Sequence, residues 1–411
     1  MPWKARRALD ERKAFLRDWS RQEDSLAELC RRYSISRPTG YKWIARFSAE
    51  GEAGLEERSR APLHHPHAIQ TAMADRLLIV REQHPYWGPR KIRAYLQHRD
   101  PKLVLPATSS IGELLRREGL SRPRGKRRRT PGCSVEVGPA SAPNELWCTD
   151  FKGWFLCGNG ERCDPLTVSD ACSRFALLCR SVEKTDGERV RAVYEVLFRE
   201  DGLPLRILSD NGPPFASPAP GGLSRLTIWW VHLGIQHERS RPGCPQDNGK
   251  LERLHETLKQ ETASPPAASL RQQQERFVKF EREYNYERPH EALGYRTPGQ
   301  VYVASSRQCP AKVPELEYPS GAILRRVAER GQIKWGGRKV FLSNVLDGEM
   351  VGFVEQEEGF YEVSLGPILL GWFAAGELAF VADPGPGRRR RGEEVENEAD
   401  GQASLRPSDA E

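Results

Sequence analysis

The residues in this sequence best suited to chemistry are carboxylates placed next to short apolar runs. Asp210 comes directly after the apolar stretch 205–208, which predicts a buried strand, and Asn-Gly followed by Pro213 then breaks any regular element. A carboxylate at the carboxyl end of a strand lies where open α/β sheets place their reactive groups. Asp-Asn-Gly is also a common turn sequence, so Asp210 by itself supports either a reactive carboxylate or a plain turn.

The elements predicted around Asp210 form a mixed α/β sheet covered by helices on both faces. Three successive strand-like runs predict an antiparallel meander, and helices separate them from two later strands. The strands are predicted at 146–151, 165–170, 175–179, 205–208 and 235–238, with a short run at 154–156 and helices at 189–198, 224–233 and 271–286. This order is that of a ribonuclease-H-like core, in which the first and fourth strands are neighbours.

Two further carboxylates fall at matching places in this arrangement. Asp150 lies near the end of the first strand, so its side chain and that of Asp210 can converge. Glu252 lies in a helix that opens near Asn248, and its spacing puts it on one flank together with Lys259.

The first 60 residues predict a helix-turn-helix module. A helical pattern is interrupted at 34–36 and resumes at 38–47, with Ser36 as N-cap and with Ile44 and Phe47 facing inward. The second helix can enter the major groove of DNA, while a helical hairpin with a solvated basic face is the alternative. The basic residues left on its exposed side are Arg37, Lys42 and Arg46.

Residues 67–121 predict a second basic helical module, in which Arg90 and Lys91 stay outside the packing and Ser109 or Ser110 caps the last helix. A basic linker at 122–142 follows, and its Arg127 and Arg128 are expected to lie along DNA as a tether. Residues 1–130 carry 29 Lys and Arg against 15 Asp and Glu, within a chain of net charge +7. This concentration of positive charge favours a polyanionic partner for the N-terminal part.

The remaining features predict a soluble protein with one more small domain. Short strand-like runs with Gly-containing turns at 320–382 predict a small antiparallel β-barrel, and the segment 383–411 is expected to be disordered. No stretch is apolar enough to cross a membrane, and the nine cysteines are scattered singly, which disfavours both a disulfide framework and a Cys-rich zinc site. We therefore expect a cytoplasmic protein.

Four motifs in this order resemble those of the integrase-core transposases of bacterial insertion sequences, the Asp-Asp-Glu type related to retroviral integrases. The motifs are Trp147-Cys-Thr-Asp-Phe-Lys-Gly153, Ser209-Asp-Asn-Gly212, Arg241-Pro-Gly-Cys-Pro-Gln-Asp-Asn-Gly-Lys-Leu-Glu-Arg253 and Tyr284-Asn-Tyr-Glu-Arg-Pro-His-Glu-Ala-Leu-Gly294. The resemblance covers roughly residues 20 to 305, and it implies an integrase catalytic core at 143–305.

The resemblance implies a catalytic and metal-binding site formed by Asp150, Asp210 and Glu252, with Asp247 and Glu256 as alternatives for the third ligand. Three clustered carboxylates raise one another's pKa, and two Mg²⁺ or Mn²⁺ ions would relieve this repulsion. Residues 211–251 separate the last two ligands, a longer spacing than in retroviral relatives, and a Pro- and Gly-rich insertion at 217–222 accounts for the excess.

The implied activity is that of a DNA transposase, in which water first cleaves a strand and the freed 3′-hydroxyl then attacks a second strand. The expected partners are double-stranded DNA, at the element's ends and at the target, and further copies of the same chain on that DNA, with association with the bacterial nucleoid. Two other functions fit the same residues: a DNA-binding regulator whose core does not cut, and a structure-specific nuclease that does not transfer strands.

Overall fold

The computed structural model describes residues 8–58, 69–121, 140–182, 185–241 and 244–383, with the backbone alone at 245 and 246. The chain divides into two compact units, Met1–Gln70 and Thr71–Glu411. Most of the predicted basic linker at 122–142, including Arg127 and Arg128, and the predicted tail beyond 383 lie outside the described residues.

The first unit is a three-helix module. Its helices are α1 (Ala8–Ser20), α2 (Leu26–Arg32) and α3 (Arg37–Glu50). The Ser36 hydroxyl accepts a hydrogen bond from the Thr39 N–H, which confirms the predicted N-cap of α3. Trp43 is the buried aromatic residue of α3, whereas Phe47, predicted to face inward, is 37% exposed.

The second helical module belongs to the larger unit and consists of α4 (Thr71–Gln83), α5 (Pro89–Arg99) and α6 (Thr108–Arg117). Leu77, Ile92 and Ile111 are fully buried, one from each helix. The N-cap of α6 is Ala107, which makes no side-chain cap, so the prediction that Ser109 or Ser110 caps this helix is wrong. Both serines lie inside its first turn.

The central sheet has the predicted topology. Its strands are β1 (Leu146–Phe151), β2 (Phe155–Leu156), β3 (Arg162–Asp170), β4 (Ala176–Val182), β5 (Arg206–Ser209) and β6 (Gln236–Arg239). β1, β3 and β4 form an antiparallel meander, the short β2 pairs with the start of β3, and β5 and β6 continue the sheet parallel to β1. β1 and β5 are therefore direct neighbours.

Helices cover both faces of this sheet, and β1 contributes to both cores because successive side chains of a strand point to opposite faces. The helices are α7 (Gly187–Asp201), α8 (Arg225–His232), α9 (Gly249–Thr262) and α10 (Leu270–Tyr286). Trp147 packs with α7 and α8, whereas the next residue, Cys148, packs with the leucines of α9 and with Phe277 of α10.

The free edge of β4 is covered by polar side chains of α10. Asn285 accepts a hydrogen bond from the Ala176 N–H and donates to the Ala176 carbonyl. Gln274 bonds in the same way to the Ser181 N–H and the Cys179 carbonyl. Because these bonds replace a further strand, α10 protects an edge that would otherwise be open to pairing.

The C-terminal region forms an open sheet instead of the predicted barrel. β7 (Ile323–Arg326), β10 (Met350–Glu357), β11 (Phe360–Leu365), β12 (Ile368–Ala374) and β13 (Ala379–Ala382) form a five-stranded antiparallel sheet, and β8 (Gln332–Trp335) and β9 (Arg338–Phe341) form a separate hairpin. Among the described strands, β7 and β13 pair on one side only, so neither sheet closes. Trp335 of the hairpin packs on Phe353 and Phe373 of the sheet, which gives both one core.

The insertion at 217–222 contacts this C-terminal sheet. The Gly221 N–H donates to the Asp383 carbonyl at 2.8 Å, and a Cβ at Gly221 would lie 3.1 Å from Ile368 of β12. The backbone of Gly221 is left-handed, with φ of 66°, which favours glycine at this contact. No helix in the described part of the chain is both long and apolar enough to span a membrane.

Candidate active site

The pairing of β1 with β5 brings Asp150 and Asp210 to the same edge of the sheet. In this parallel register Cys148 lies opposite Leu208. Asp150 comes two residues after Cys148, and Asp210 comes two residues after Leu208. Cys148 faces α9, and Asp150 therefore projects on the α9 side as well. The two carboxylates predicted to converge thus end neighbouring strands at equal depth.

Asp210 is half-buried, and its Oδ1 atom has no hydrogen-bond partner among the described residues. Burial raises the pKa of Asp210, and the N–H of Gly212 opposes this by a hydrogen bond to the carboxylate. A Cβ at Gly212 would lie 2.9 Å from Asp210 Oδ2, so glycine is the residue that lets the chain turn so close to the carboxylate. An unpartnered buried carboxylate oxygen is costly, and a cation would satisfy it.

Asp150 is affected by the other two carboxylates. Its pKa is raised to about 7, chiefly by burial, and further by the negative charges of Asp210 and Glu252, while the Phe151 N–H lowers it. The charges of Asp210 and Glu252 thus act on the Asp150 carboxyl in the direction expected of like charges. The Asp150 carbonyl is held by the Thr167 hydroxyl at 3.1 Å.

Helix α9 places Glu252 on the flank that faces the sheet edge. Leu251, Leu254 and Leu258 are buried against the sheet, and Glu252 and Lys259 are exposed, as the helical spacing predicts. On the same flank, the His255 Nε2 atom lies 2.7 Å from the Thr167 hydroxyl, which also contacts the Asp150 carbonyl. A single threonine thus connects α9 to the strand that ends in Asp150.

The other acids near this edge have partners of their own. Asp247, one alternative for the third ligand, pairs with Arg241 at 2.8 Å, and this interaction lowers its pKa. Asp170 accepts hydrogen bonds from the Asn144 and Ser173 N–H groups. Glu256, the second alternative, is exposed one turn beyond Glu252.

Two histidines and one lysine complete the surroundings. His237 is buried against Ser209, and the pKa values of His237 and His255 are lowered by burial, to about 3 and about 4. Both are therefore neutral packing residues at pH 7. Burial lowers the pKa of Lys152, and the positive charge of Lys259 lowers it further. Sequence analysis missed Lys152, although it follows Asp150 by only two residues.

The described residues contain no group of three His, Cys, Asp or Glu side chains arranged to hold a metal ion. Asp150 and Asp210 still fit a divalent cation, because a buried oxygen of Asp210 lacks a partner and the charges of Asp210 and Glu252 raise the pKa of Asp150. Carboxylate oxygens are the ligands that Mg²⁺ takes in proteins.

The basic residues predicted to contact DNA lie in different surroundings. In the first unit, Arg37 and Lys42 are exposed on α3, and Arg46 lies over the Trp43 ring. In the second module, Arg90 pairs with Glu291 at 2.7 Å, and Lys91 is largely buried, so the prediction that both stay outside the packing holds for Arg90 alone.

The chain matches four family models. The model described as an integrase core domain matches residues 140–245, and a second model with the same description matches residues 233–298. A helix-turn-helix domain model matches residues 11–62, and a homeodomain-like domain model matches residues 39–115.

Curated relatives carry the same assignment. The chain is 27% identical over 272 residues to the insertion element IS407 uncharacterized 31.7 kDa protein of Burkholderia multivorans, which covers 63% of this chain and 92% of that protein. It is also 27% identical over 252 residues to transposase InsD for insertion element IS2 of Escherichia coli, which covers 56% of this chain and 78% of the relative. The chain contains an integrase core domain and is similar to transposases of insertion elements.

Two solved structures similar to this chain are retroviral. The catalytic core domain of HTLV-2 integrase in complex with magnesium has 18% identity and a TM-score of 0.32, and the match covers 39% of this chain and 97% of that chain. The simian T-cell lymphotropic virus intasome in complex with a PP2A regulatory subunit has 14% identity and a TM-score of 0.36, with 71% and 97% covered.

Proposed function

We propose that this transposase cleaves and joins DNA through Asp150, Asp210 and Glu252. The main support is the parallel register of β1 and β5, in which Cys148 lies opposite Leu208, so that Asp150 and Asp210 each come two residues after this pair. In addition, the buried Oδ1 atom of Asp210 has no hydrogen-bond partner among the described residues. Glu252 completes the set from α9, since its charge contributes to the raised pKa of Asp150.

The reaction exchanges P–O bonds at phosphorus. Water attacks a phosphodiester and releases a 3′-hydroxyl, whose oxygen then attacks a phosphodiester of the target strand and displaces another 3′-oxygen. Two Mg²⁺ or Mn²⁺ ions held by Asp150, Asp210 and Glu252 would supply charge stabilisation to the entering and leaving oxygens. The half-buried Asp150 and Asp210 restrict solvent at this edge, and Lys152 and Lys259 supply positive charge for the DNA backbone.

Recognition of the element's ends belongs, in this proposal, to the helix-turn-helix module, with Arg37, Lys42 and Arg46 of α3 facing the DNA. Arg127 and Arg128 of the predicted basic linker at 122–142, which lie outside the described residues, would contact the DNA backbone. Two ends must be joined to one target, so the active form is a dimer or a larger assembly on DNA. In this proposal, DNA cleavage and joining take place in the bacterial cytoplasm at the nucleoid.

The test is a strand-transfer assay with the DNA that flanks the gene, Mg²⁺, the wild-type protein and an Asp210→Asn variant. We expect joined product from the wild type and none from D210N, because the amide cannot act as an anionic ligand. Circular dichroism of both proteins checks that the fold is retained.

Two results would contradict the proposal. Cleaved but unjoined DNA from the wild type would identify a nuclease, and binding of end DNA with neither step would identify a regulator. A Glu256→Gln variant is the matched control, since Glu256 is an exposed acid on the same flank of α9 and we expect it to retain activity.

A further inference from the structure

A second charged region lies on the other flank of α9, away from Glu252. It is a cavity of about 200 Å³ between the second helical module and the core. Helix α5, the turn after β3, α9 and the segment after α10 form its walls. Its basic lining residues, which define the cationic cavity, are Lys91, Arg174, Lys250, Arg253, Arg288 and His290.

Helix geometry separates this cavity from the carboxylate site. Lys250, Arg253 and Thr257 follow one another at three- and four-residue spacing on one flank of α9, whereas Glu252 and Lys259 lie on the other. The buried leucines lie between the two flanks. One helix therefore presents acid to one region and base to the other.

Positive charge in the cationic cavity exceeds the negative charge available to it. Arg288 pairs with Glu261 at 2.5 Å, and Glu291 at the border is engaged by Arg90. Within the described part of the chain, Lys91, Arg174 and Arg253 have no carboxylate within 4.0 Å. Several cations held together without counter-charges repel one another, which a bound anion would relieve.

The two partly buried cations of the cavity have lowered pKa values. Burial lowers the pKa of Lys91 to about 8, with a further lowering by Arg288, although Glu261 and Glu291 act in the opposite direction. The pKa of Arg174 is also lowered, by burial first. Lys250 and Arg288 do contribute to the fold, since Lys250 donates to the Ala171 carbonyl at 3.0 Å and Arg288 pairs with Glu261. Lys91 and Arg174 are the partly buried cations of the cavity for which the described residues supply no ion pair.

His290 adds a neutral hydrogen-bonding group to the lining. Its Nε2 atom is buried and has no hydrogen-bond partner among the described residues, and its ring packs edge-on against Tyr284 at 4.8 Å. Burial and the neighbouring cations lower its pKa to about 3, so the imidazole is neutral at pH 7. A neutral imidazole with its proton on Nε2 donates to an anionic oxygen.

A compact oxyanion fits these features best. The cavity is several times larger than the ~30 Å³ that one water occupies in the liquid, enough for a tetrahedral phosphate group with bridging water. Guanidinium and ammonium groups are the usual partners of phosphate oxygens. Arg253 is exposed at the rim, so a phosphate that belongs to a longer chain can enter from solvent.

We propose that the cationic cavity binds one backbone phosphate of the DNA. The neighbouring phosphates of the same DNA would reach the flank of α9 that carries Glu252, here called the carboxylate flank. This inference rests on the proposed function for its choice of DNA over a free anion. Because Lys91 comes from α5 and the others from the core, the phosphate would join the second helical module to the catalytic core. The Arg-Pro-His segment after α10 then has a role in DNA binding.

The test uses the full-length protein with Lys91 and Arg253 both changed to glutamine. Binding of a fluorescent duplex carrying the gene's flanking DNA is measured by anisotropy, without divalent metal, over a range of salt concentrations. We expect about 10-fold weaker binding and a loss of about one unit from the slope of log K against log salt, the signature of one lost phosphate contact.

The matched control changes Lys102 and Arg282 to glutamine, because both are exposed outside the cavity and the change in net charge is the same. Equal weakening by both double variants would overturn the proposal, since net charge alone would then explain the loss. Melting curves of both variants check that they fold.

A second arm separates the two sources of phosphate and the two proposals. If inorganic phosphate raises the melting temperature of the wild type but not of K91Q/R253Q, while both bind DNA equally, the cavity takes a free anion and the DNA assignment fails. If D210N binds DNA like the wild type and K91Q/R253Q does not, the cavity is supported whether or not strand transfer occurs.

Discussion

The two flanks of α9 carry opposite charges, and the contrast between them is informative. One flank carries Glu252, which we propose acts with Asp150 and Asp210, and on the other flank Arg253 and Lys250 line a cavity with basic residues from three further segments. In both regions the pKa of a buried group is shifted toward its neutral form, upward for Asp150 and downward for Lys91. Like charges gathered in partly buried places oppose folding, so each region is better suited to an oppositely charged ligand than to stability.

The largest expected effect is on the rate of strand transfer, and it should distinguish Glu252 from Glu256 on the same flank of α9. Glu252→Gln should reduce strand transfer at least about 100-fold, the result of losing a few kcal/mol of charge stabilisation at phosphorus. The measurement is the initial rate of joined product with Mg²⁺.

Glu256→Gln, one turn away on the same helix, should stay within about threefold of the wild type, since a few tenths of a kcal/mol correspond to such a factor. The reverse pattern would identify Glu256 as the third ligand and move the site one turn along α9.

A second, smaller effect concerns the stability of the metal-free protein. The pKa of Asp150 is about 7 in the folded protein, against 3.8 for an aspartate in water. Its contribution to stability is therefore complete below about pH 4 and is lost as the pH rises to 7. Asp150→Asn should therefore raise the free energy of unfolding by about 1–3 kcal/mol at pH 8, at ~1.4 kcal/mol per pKa unit, and leave it unchanged near pH 4. Urea unfolding in EDTA at both pH values measures this.

Glu281 is the matched control for this effect. Its pKa is raised to about 8 by burial first, and its carboxylate accepts a hydrogen bond from the Cys179 N–H of β4. Mg²⁺ should raise the melting temperature of the wild type and of Glu281→Gln, but not of D150N. An equal rise in melting temperature with Mg²⁺ for all three proteins would mean that Asp150 does not bind the metal.

In the cationic cavity the pH dependence of stability should have the opposite sign. The pKa of Lys91 is about 8 in the folded protein, against 10.5 for a lysine in water. The cost of its charge is therefore complete below pH 8 and disappears as the pH rises toward 10.5. Lys91→Gln should stabilise the DNA-free protein by about 1 kcal/mol at pH 7, with a gain that vanishes near pH 10.5. Thermal unfolding at the two pH values measures it.

The groups that act on Lys91 are Arg288, Arg253, Glu261 and Glu291. A destabilised K91Q at pH 7 would mean that Lys91 supports the fold, and the contrast between the two flanks would then be false. Lys102→Gln, at an exposed position, is the control that should show no such pH dependence.

The smallest effect is expected at the exposed ion pair between Arg90 and Glu291 beside the cavity. Arg90→Gln and Glu291→Gln should each leave the stability almost unchanged, because solvent screens exposed pairs. A double-mutant cycle from urea unfolding measures their coupling. A clear coupling between the two substitutions would show that this pair, and not the buried surface, attaches α5 to the core.

Much of the core was predictable because its signals are local. The apolar run before Asp210 and the leucine spacing of α9 each depend on residues close in sequence, and both elements appear where predicted. Ser36 as a helix cap belongs to the same class. Phe47 was misjudged because Trp43 is the aromatic residue of the same helix that packs inward. Ser109 was misjudged because α6 begins at Thr108, before both serines, and has no side-chain cap.

The C-terminal region shows the limit of local signals. Short alternating runs predicted its strands but not how they close, since closure depends on which edges pair. The place of the 217–222 insertion against β12 depends likewise on a contact distant in sequence.

The sequence by itself determined the order of elements, the acids that end β1 and β5, and the flank of α9 that carries Glu252, because strand and helix periods fix which side chains share a face. Tertiary structure decided the register that sets Asp150 level with Asp210 and the burial of Lys91 against the core. Both depend on packing between segments far apart in the chain, where charges come together that no local pattern relates.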